Sequence, residues 1–308
     1  MKCGDIEIGN ILLAPMAGVS EVGFREVCKL AGADLTCTEM VNAVALNHDS
    51  AKTKDLLITS SLENVKSVQI FGHDALEMAK AVTNSCLSKF DIIDINFGCP
   101  APKIVNNGDG SALLKDVNKI YKIVSACKNS TNKPISCKFR KGFGAGDNVS
   151  KDVARACEDA GASMLTIHGR TRAQMYSGVV DLEAIACVKS VVKIPVIGNG
   201  DITDFNSYNK MLSTGVDGVM IGRGALGNPN IFASLKNKAP IDKMELIERH
   251  IRVLREFFDE RFVSATMRKH LLWYIAGEPN VNKIKLDVAT KDLNQAIEIV
   301  RSFLSNNG

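Results

Sequence analysis

Short apolar runs, each about as long as one buried strand, recur eight times between residues 10 and 225, and an amphipathic stretch separates most of them from the next. They are "NILLAPMAG" (10–18), "DLTCTEMV" (34–41), "KSVQIFG" (66–72) and "DIIDINFGCP" (91–100), then "PISCKFRKG" (134–142), "SMLTIHGR" (163–170), "IPVIGNGDI" (194–202) and "DGVMIGRGA" (217–225). Rich in Val, Ile and Leu, they fit parallel strands buried on both faces. The stretches between them have helical spacing. Asp74 reads as an N-cap before a face of Leu76, Ala79 and Val82, while Val149, Val153, Ala156 and Ala160 line a helix closed by Gly161. Eight such units predict an α/β fold of the (β/α)8 TIM-barrel type rather than an open sheet.

From Asp242 onward the strand runs stop. "KMELIERHIRVLREFFDERF" reads as one long amphipathic helix, followed by "SATMRKHLLWYIAG" and "ATKDLNQAIEIVRSFL". The boundary "NKAPID" divides a barrel, residues 1–240, from a small C-terminal all-helical domain, residues 241–308.

The net charge of +4 permits a nucleic-acid partner without demanding one. Nine cysteines form no C-x-x-C pair, and no Cys/His cluster has metal-ligand spacing, so reduced thiols and no metal are expected. "MKCGDIEIGNILLAPMAG" fits neither a signal peptide nor a membrane span, which makes a cytoplasmic protein without a membrane partner the expectation.

A barrel of this type builds its site where the strands end on their C-terminal side. Those ends carry Pro15, Met16 and Ala17, then Glu39, Gln69, Asn96 with Cys99, and Lys138 with Arg140. His168 with Arg170, Asn199-Gly200-Asp201, and Gly222-Arg223 complete the ring. Glycines follow the last two runs directly, where a close backbone approach suits a phosphate, and Arg223 adds a charged fork. Lys138, on a central strand, suits an anionic cofactor or a developing enolate. His168 is either a core histidine or part of the site, and the amide of Gln69 either caps the barrel or reads a heterocycle edge. Cys28, Cys127, Cys157 and Cys187 sit at apolar helical positions as small hydrophobes. Cys99 differs, because Gly98 turns the chain and Pro100 holds Cys99 extended at the mouth.

These motifs resemble the dihydrouridine synthase family along the whole chain: "LAPMAG", "TEMV", "VQIFG", "DINFGCP", "GSALL", "CKFRKG", "IHGRTRAQMYSG", "VIGNGDI" and "GVMIGRGALGNPNIF". "MRKHLLWYIAG" is similar to the helical domain of the bacterial B-type branch. The resemblance implies FMN-dependent, NADPH-driven reduction of the uracil 5,6 double bond of D-loop uridine in tRNA. It implies FMN held by Pro15, Met16, Ala17, Gln69, Lys138, His168, Asn199, Gly200, Asp201, Gly222 and Arg223, with Cys99 as proton donor. Asn96, Arg140 and Arg170 are the implied substrate contacts, and Arg252, Arg255, Arg268 and Lys269 the candidate tRNA phosphate contacts. A monomer without an obligate protein partner is expected. One departure is the glycine-rich, little-charged "GFGAGDN" after the fifth run. Rival readings are an FMN barrel acting on a free pyrimidine, a flavin-free sugar-phosphate barrel, and an RNA chaperone with a degenerate pocket.

Overall fold

The computed structural model describes residues 1–307. Eight parallel strands form one sheet: β1 (Ile11–Leu13), β2 (Cys37–Asn42), β3 (Ser67–Phe71), β4 (Ile92–Phe97), β5 (Ile135–Gly142), β6 (Met164–Thr171), β7 (Val196–Asn199) and β8 (Gly218–Ile221). Neighbours in sequence are neighbours in space from β2 to β8, and β8 pairs back with β1. The last seam closes ahead of β2. There Leu12 bridges Leu35, Leu13 N–H donates to the Leu35 carbonyl at 2.9 Å, and Asp34 N–H donates to that of Ile11 at 2.8 Å. The eight apolar runs of the sequence are thus the eight staves of a barrel.

Two apolar regions result. Leu12, Ala14, Leu35, Ile92, Met164, Ile197 and Met220 fill the barrel's inside together with Cys3 and Ile8. Those last two come from a ribbon, Lys2–Cys3 paired antiparallel with Ile6–Glu7, that plugs the end where the strands begin. The larger region lies between the strands and the surrounding helices. Above the inner plug the inward side chains become polar. Register sets Gln69 beside Asp94, Asp94 beside Ser136, Asn96 beside Lys138, and His168 beside Asn199.

Asp74 does cap its helix, accepting the N–H groups of Leu76 and Glu77. The buried face is Met78, Ala81 and Val82, however, and Leu76 is 81% exposed. Leu76 lies two positions before Met78, on the opposite side of the helix, so spacing counted from it starts on the solvent side. The helix Ser150–Asp159 buries Val153 and Cys157, leaves Ala156 half-buried, and is followed by Gly161 at φ 94°. That left-handed position costs glycine little.

Four α-helices follow the barrel, counted after α1 (Val22–Leu30), the first barrel helix: α2 (Lys243–Phe257), α3 (Glu260–Tyr274), α4 (Lys285–Thr290) and α5 (Leu293–Asn307). The expected single helix through Phe262 breaks at Phe258, which is extended, and Asp259 caps α3 by accepting Phe262 N–H at 2.8 Å. The last predicted stretch breaks similarly, with Asp292 accepting Gln295 N–H ahead of α5. In both places a capping aspartate sits inside a continuous amphipathic pattern, and the cap decides. Among the described residues, no helix is long and apolar enough to cross a membrane.

The helices are seated firmly on the barrel. Glu26 of α1 pairs with Arg249 of α2. A Cβ on Gly23 would fall 2.6 Å from His250 Cδ2, and one on Gly227 would fall 2.0 Å from the Trp273 carbonyl oxygen. Behind α1, Arg25 and Glu63 form an ion pair at 2.8 Å with both side chains 1% exposed. Arg25 also donates to the carbonyls of Ser20 and Ile58, and Glu63 accepts from Thr36 and Ser60 N–H. Removing one partner strands a buried charge. Arg25→Ala should therefore lose about 3–5 kcal/mol of unfolding free energy. Arg25→Met with Glu63→Leu should lose clearly less; urea denaturation of the two variants checks the difference.

Candidate active site at the barrel mouth

β4 delivers the loop that holds Cys99. Asn96, inward on β4, accepts the N–H groups of Gly98 (3.0 Å) and Cys99 (2.8 Å) on its side-chain oxygen. Its amide donates to Gln69 Oε1 at 2.7 Å. Gln69 Nε2 in turn donates to Asp94 Oδ2 at 2.7 Å, and Ser136 Oγ donates to Asp94 Oδ1 at 2.6 Å. The other side of the loop is held by Ser111, whose N–H and hydroxyl both donate to the Cys99 carbonyl. Arg140 Nε donates to the Gly98 carbonyl at 2.9 Å. Gly110, at φ 58°, lies so close that a Cβ there would be 2.9 Å from the Cys99 carbonyl oxygen. The thiol is half-buried. Burial pushes it up from its ordinary value, more than the Ala101 N–H and the cations Arg140 and Lys138 pull it down. It is a protonated thiol at neutral pH.

Lys138, His168 and Asn199 stand on the next three strands, β5, β6 and β7. Lys138 Nζ donates to Asn199 Oδ1 at 3.0 Å, and Asn199 Nδ2 donates to the Met220 carbonyl at 2.7 Å. Burial, then repulsion from Arg140, lowers Lys138 to about 8, with Asp94 pulling the other way. The ammonium remains the main form at pH 7. His168 is 8% exposed. Burial, together with Lys138, Arg140, Arg170 and Arg223 around it, holds His168 far below the usual imidazole range. It is a neutral ring in a cationic setting.

The glycine-bearing loops lie next to this group. Gly200 is at φ 132° and Asp201 at φ 52°. A Cβ on Gly222 would meet nothing nearer than 3.6 Å, the closest atoms being Ala14 Cβ and Met16 Sδ, so the glycine keeps the gap between β8 and β1 open. Pro15 and Met16 are half-buried beside this gap and Ala17 is exposed. The Asp201 carboxylate is occupied by two guanidiniums, taking Arg170 at 2.9 and 2.5 Å and Arg223 at 3.2 Å. Arg170 corrects an expectation. Its side chain is 2% exposed, and it also donates to the carbonyls of Ser177 and Gly178. With four of its five N–H groups occupied by protein acceptors, it braces Asp201 and the following loop rather than facing a substrate. Arg140 is committed similarly, through Gly98, Thr171 and Met175 carbonyls, and Asn96 through Gln69 and the Cys99 loop.

Residues 12–304 match the family model described as dihydrouridine synthase (Dus). The chain belongs to the dihydrouridine synthase family. A protein named tRNA-dihydrouridine synthase B from Pseudomonas putida is 36% identical, over 96% of this chain and 91% of its own length. Its namesake from Vibrio cholerae is 34% identical over 99% of each chain. These relatives assign the chain to the B-type branch. Among solved structures, morphinone reductase superposes with a TM-score of 0.55 at 11% identity, covering 79% of this chain and 90% of that one. A variant of NCR from Zymomonas mobilis gives 0.54 at 16% identity, covering 81% and 95%. Both likenesses are of fold.

Several features of this synthase-family mouth escaped sequence reasoning. Tyr176, 52% exposed, stands between Arg140 (5.5 Å) and Arg223 (5.0 Å), each over its ring. An aromatic two residues before Gly178 in the loop after β6 was the available signal. Glu39, already named at its strand end, gains a partner that the sequence did not show: it accepts Gly18 N–H, and burial pushes its carboxyl up. Lys269 of α3 donates to the Gly18 carbonyl, so the helical domain touches the mouth itself. The other candidate tRNA contacts lie elsewhere. Arg268 donates to the Ala289 carbonyl of α4 at 2.8 Å. Arg252 and Arg255 line a groove between α2 and α5 beside Glu248, Glu256 and Glu298. There Arg255 pairs with Glu260 at 2.8 Å. The four cations do not form one patch.

The raised thiol predicts slow, pH-driven alkylation. Deprotonation makes the nucleophile, so the rate rises as pH passes upward through the raised value. Iodoacetamide labelling of Cys99, followed by peptide mass mapping, should increase with pH beyond the ordinary thiol midpoint. A rate already level at pH 7 would contradict this description of the site.

Proposed function

We propose that the mouth is the active site of a tRNA-dihydrouridine synthase that reduces the uracil 5,6 double bond of D-loop uridine, using FMN and NADPH. The observation that carries the reading is Cys99: a protonated thiol, fixed by Asn96 and Ser111, at a mouth that also holds half-buried Lys138 and a neutral His168. A nucleophilic cysteine would need a base; a general acid needs its proton.

The residues present fit FMN. Gly222 leaves space that a side chain would fill, Arg223 is half exposed with its guanidinium steadied by Asp201, and the surrounding charges favour an anion. The main chain of Gly200, Asp201, Gly222 and Arg223 would hold the FMN phosphate. The Asp201 carboxylate orients arginines rather than meeting the anion. Pro15, Met16, Ala17, Gln69 and Asn199 line the rest of the cofactor site. When bound, FMN supplies the hydride to carbon 6 of the base. Lys138 holds positive charge where negative charge gathers, and His168 offers a neutral ring hydrogen bond. Cys99 then gives its proton to carbon 5. Asn96 and Arg140 serve mainly by holding the thiol loop, and Tyr176 offers a flat face to the extruded base.

Residues 1–240 are assigned the chemistry and 241–308 the grip on tRNA, in a cytoplasmic protein acting as a monomer. Lys269, at the junction with the mouth, and Arg252, on the outer groove, are the cations best placed for phosphates.

Cys99→Ala should keep bound flavin and oxidise NADPH, yet lose uridine reduction by on the order of 10²–10⁴-fold, since that is what a general acid contributes. Mass-spectrometric mapping of dihydrouridine in tRNA reads the outcome; wild-type yield would remove Cys99 from the reaction. Replacing Arg252 and Lys269 by alanine should weaken tRNA binding and flatten its dependence on log salt by about one unit for each phosphate no longer neutralised. Arg255→Ala should change little, because Glu260 already neutralises that charge. A gel-shift series over salt concentration compares them.

A further inference from the structure

Where the helical domain meets the barrel, three side chains converge from three elements. Glu21 comes from the turn before α1, His250 from α2 and His270 from α3. One potential ligand atom from each lies within 4.8 Å of the others, and all three residues are buried. Phe24 packs against both imidazoles, at 6.0 and 5.1 Å between ring centres, and Trp273 meets the edge of His270 at 5.0 Å.

The hydrogen bonding of this cluster is incomplete. His250 Nε2 contacts Glu21 Oε1, and His250 Nδ1 faces the Tyr274 hydroxyl at 3.5 Å. Glu21 Oε2 and both ring nitrogens of His270 are buried without a hydrogen-bond partner. Glu21 Oε2 and His270 Nε2 face each other at 3.8 Å, too far for a hydrogen bond and on the scale of two ligands sharing one ion. A proton shared by His250 and Glu21 accounts for one contact and leaves those atoms unmatched. A neutral His270 has one ring N–H to offer, and at 3.8 Å from Glu21 Oε2 it does not complete a hydrogen bond there.

We propose that Glu21, His250 and His270 form a binding site for a divalent first-row transition metal of the zinc class. Zinc–ligand bonds of about 2.0–2.2 Å put tetrahedral ligands roughly 3.4 Å apart. The observed separation of 3.8 Å closes to that with a movement of a few tenths of an ångström. Two imidazoles select zinc or cobalt over magnesium or calcium, which prefer all-oxygen sites. Glu21 Oε2 with the two Nε2 atoms supplies three donors, one from each residue, and a buried water would complete four. The Phe24 N–H, donating to Glu21 at 3.0 Å, and the Tyr274 hydroxyl beside His250 orient two of the three ligands from behind. Enclosed by aromatic rings, the ion would reach no substrate; its work is to tie α2 and α3 to the start of α1. The residues are 229 positions apart for Glu21 and His250, so no local spacing in the sequence reveals the cluster.

The test uses the full-length flavin-loaded protein, expressed with added Zn²⁺ and gel-filtered without chelator. Plasma mass spectrometry should find about one zinc per chain, as a structural site retains its ion. Chelation should lower the melting temperature and added Zn²⁺ restore it. Co²⁺ loading should give the visible bands of a four-coordinate site, and these should vanish in His270→Gln and in Glu21→Gln. Flavin retention reports that each variant is folded. Should neither variant fold, the cobalt spectrum of the wild type decides alone. Absence of stoichiometric metal with an unchanged melting temperature overturns the proposal, as does metal retained in both folded variants.

Discussion

An inward side chain on a closed parallel barrel can face only the other strands, so each polar group there needs a partner in its own layer. Asp94 is the extreme case, a fully enclosed carboxyl whose proton affinity burial raises. Its two donors, Gln69 and Ser136, settle which way the Gln69 amide is turned. That amide settles Asn96, and Asn96 settles the main chain at Gly98 and Cys99. A continuous line of hydrogen bonds therefore runs from the middle of the barrel to the reactive loop. Disturbance at Asp94 would be felt at the thiol although the two residues are five positions apart on the chain.

The second organising effect is electrostatic. Lys138, Arg140, Arg170 and Arg223 converge on the space around His168. Asp201 offsets Arg170 and part of Arg223, leaving a cationic mouth with a neutral imidazole in its wall. Fields focused in such a recess attract anions and disfavour any further proton on the ring. The arginines seldom act as free contacts. Five of their eight hydrogen bonds go to carbonyls, at Gly98, Thr171, Met175, Ser177 and Gly178, so the positive field and the loop shapes come from the same side chains.

Much of this was legible beforehand, and for identifiable reasons. The eight runs, the cap at Asp74, and the placing of Cys99 beyond Gly98 follow from periodicity and local backbone chemistry. The burial of Arg170 did not follow, because a strand-end arginine looks the same whether it faces solvent or a carboxylate thirty-one residues away. The breaks at Phe258 and before Asp292 were hidden by apolar spacing that continues across them. Leu76 and Tyr176 lie where tertiary neighbours, rather than neighbours in sequence, decide exposure. The Glu21–His250–His270 cluster is the purest case: its members share no segment.

The carbonyl of Trp273 pressed over Gly227 sets a limit on movement between barrel and helices, and the Lys269 contact at Gly18 sits on the same joint. A joint with no room for one methyl group is poorly suited to hinging. The molecule then works as a ruler rather than a jaw. On the proposed function, α2 to α5 would hold the RNA at a fixed distance from Cys99, and selection among uridines would become a measurement of length along it.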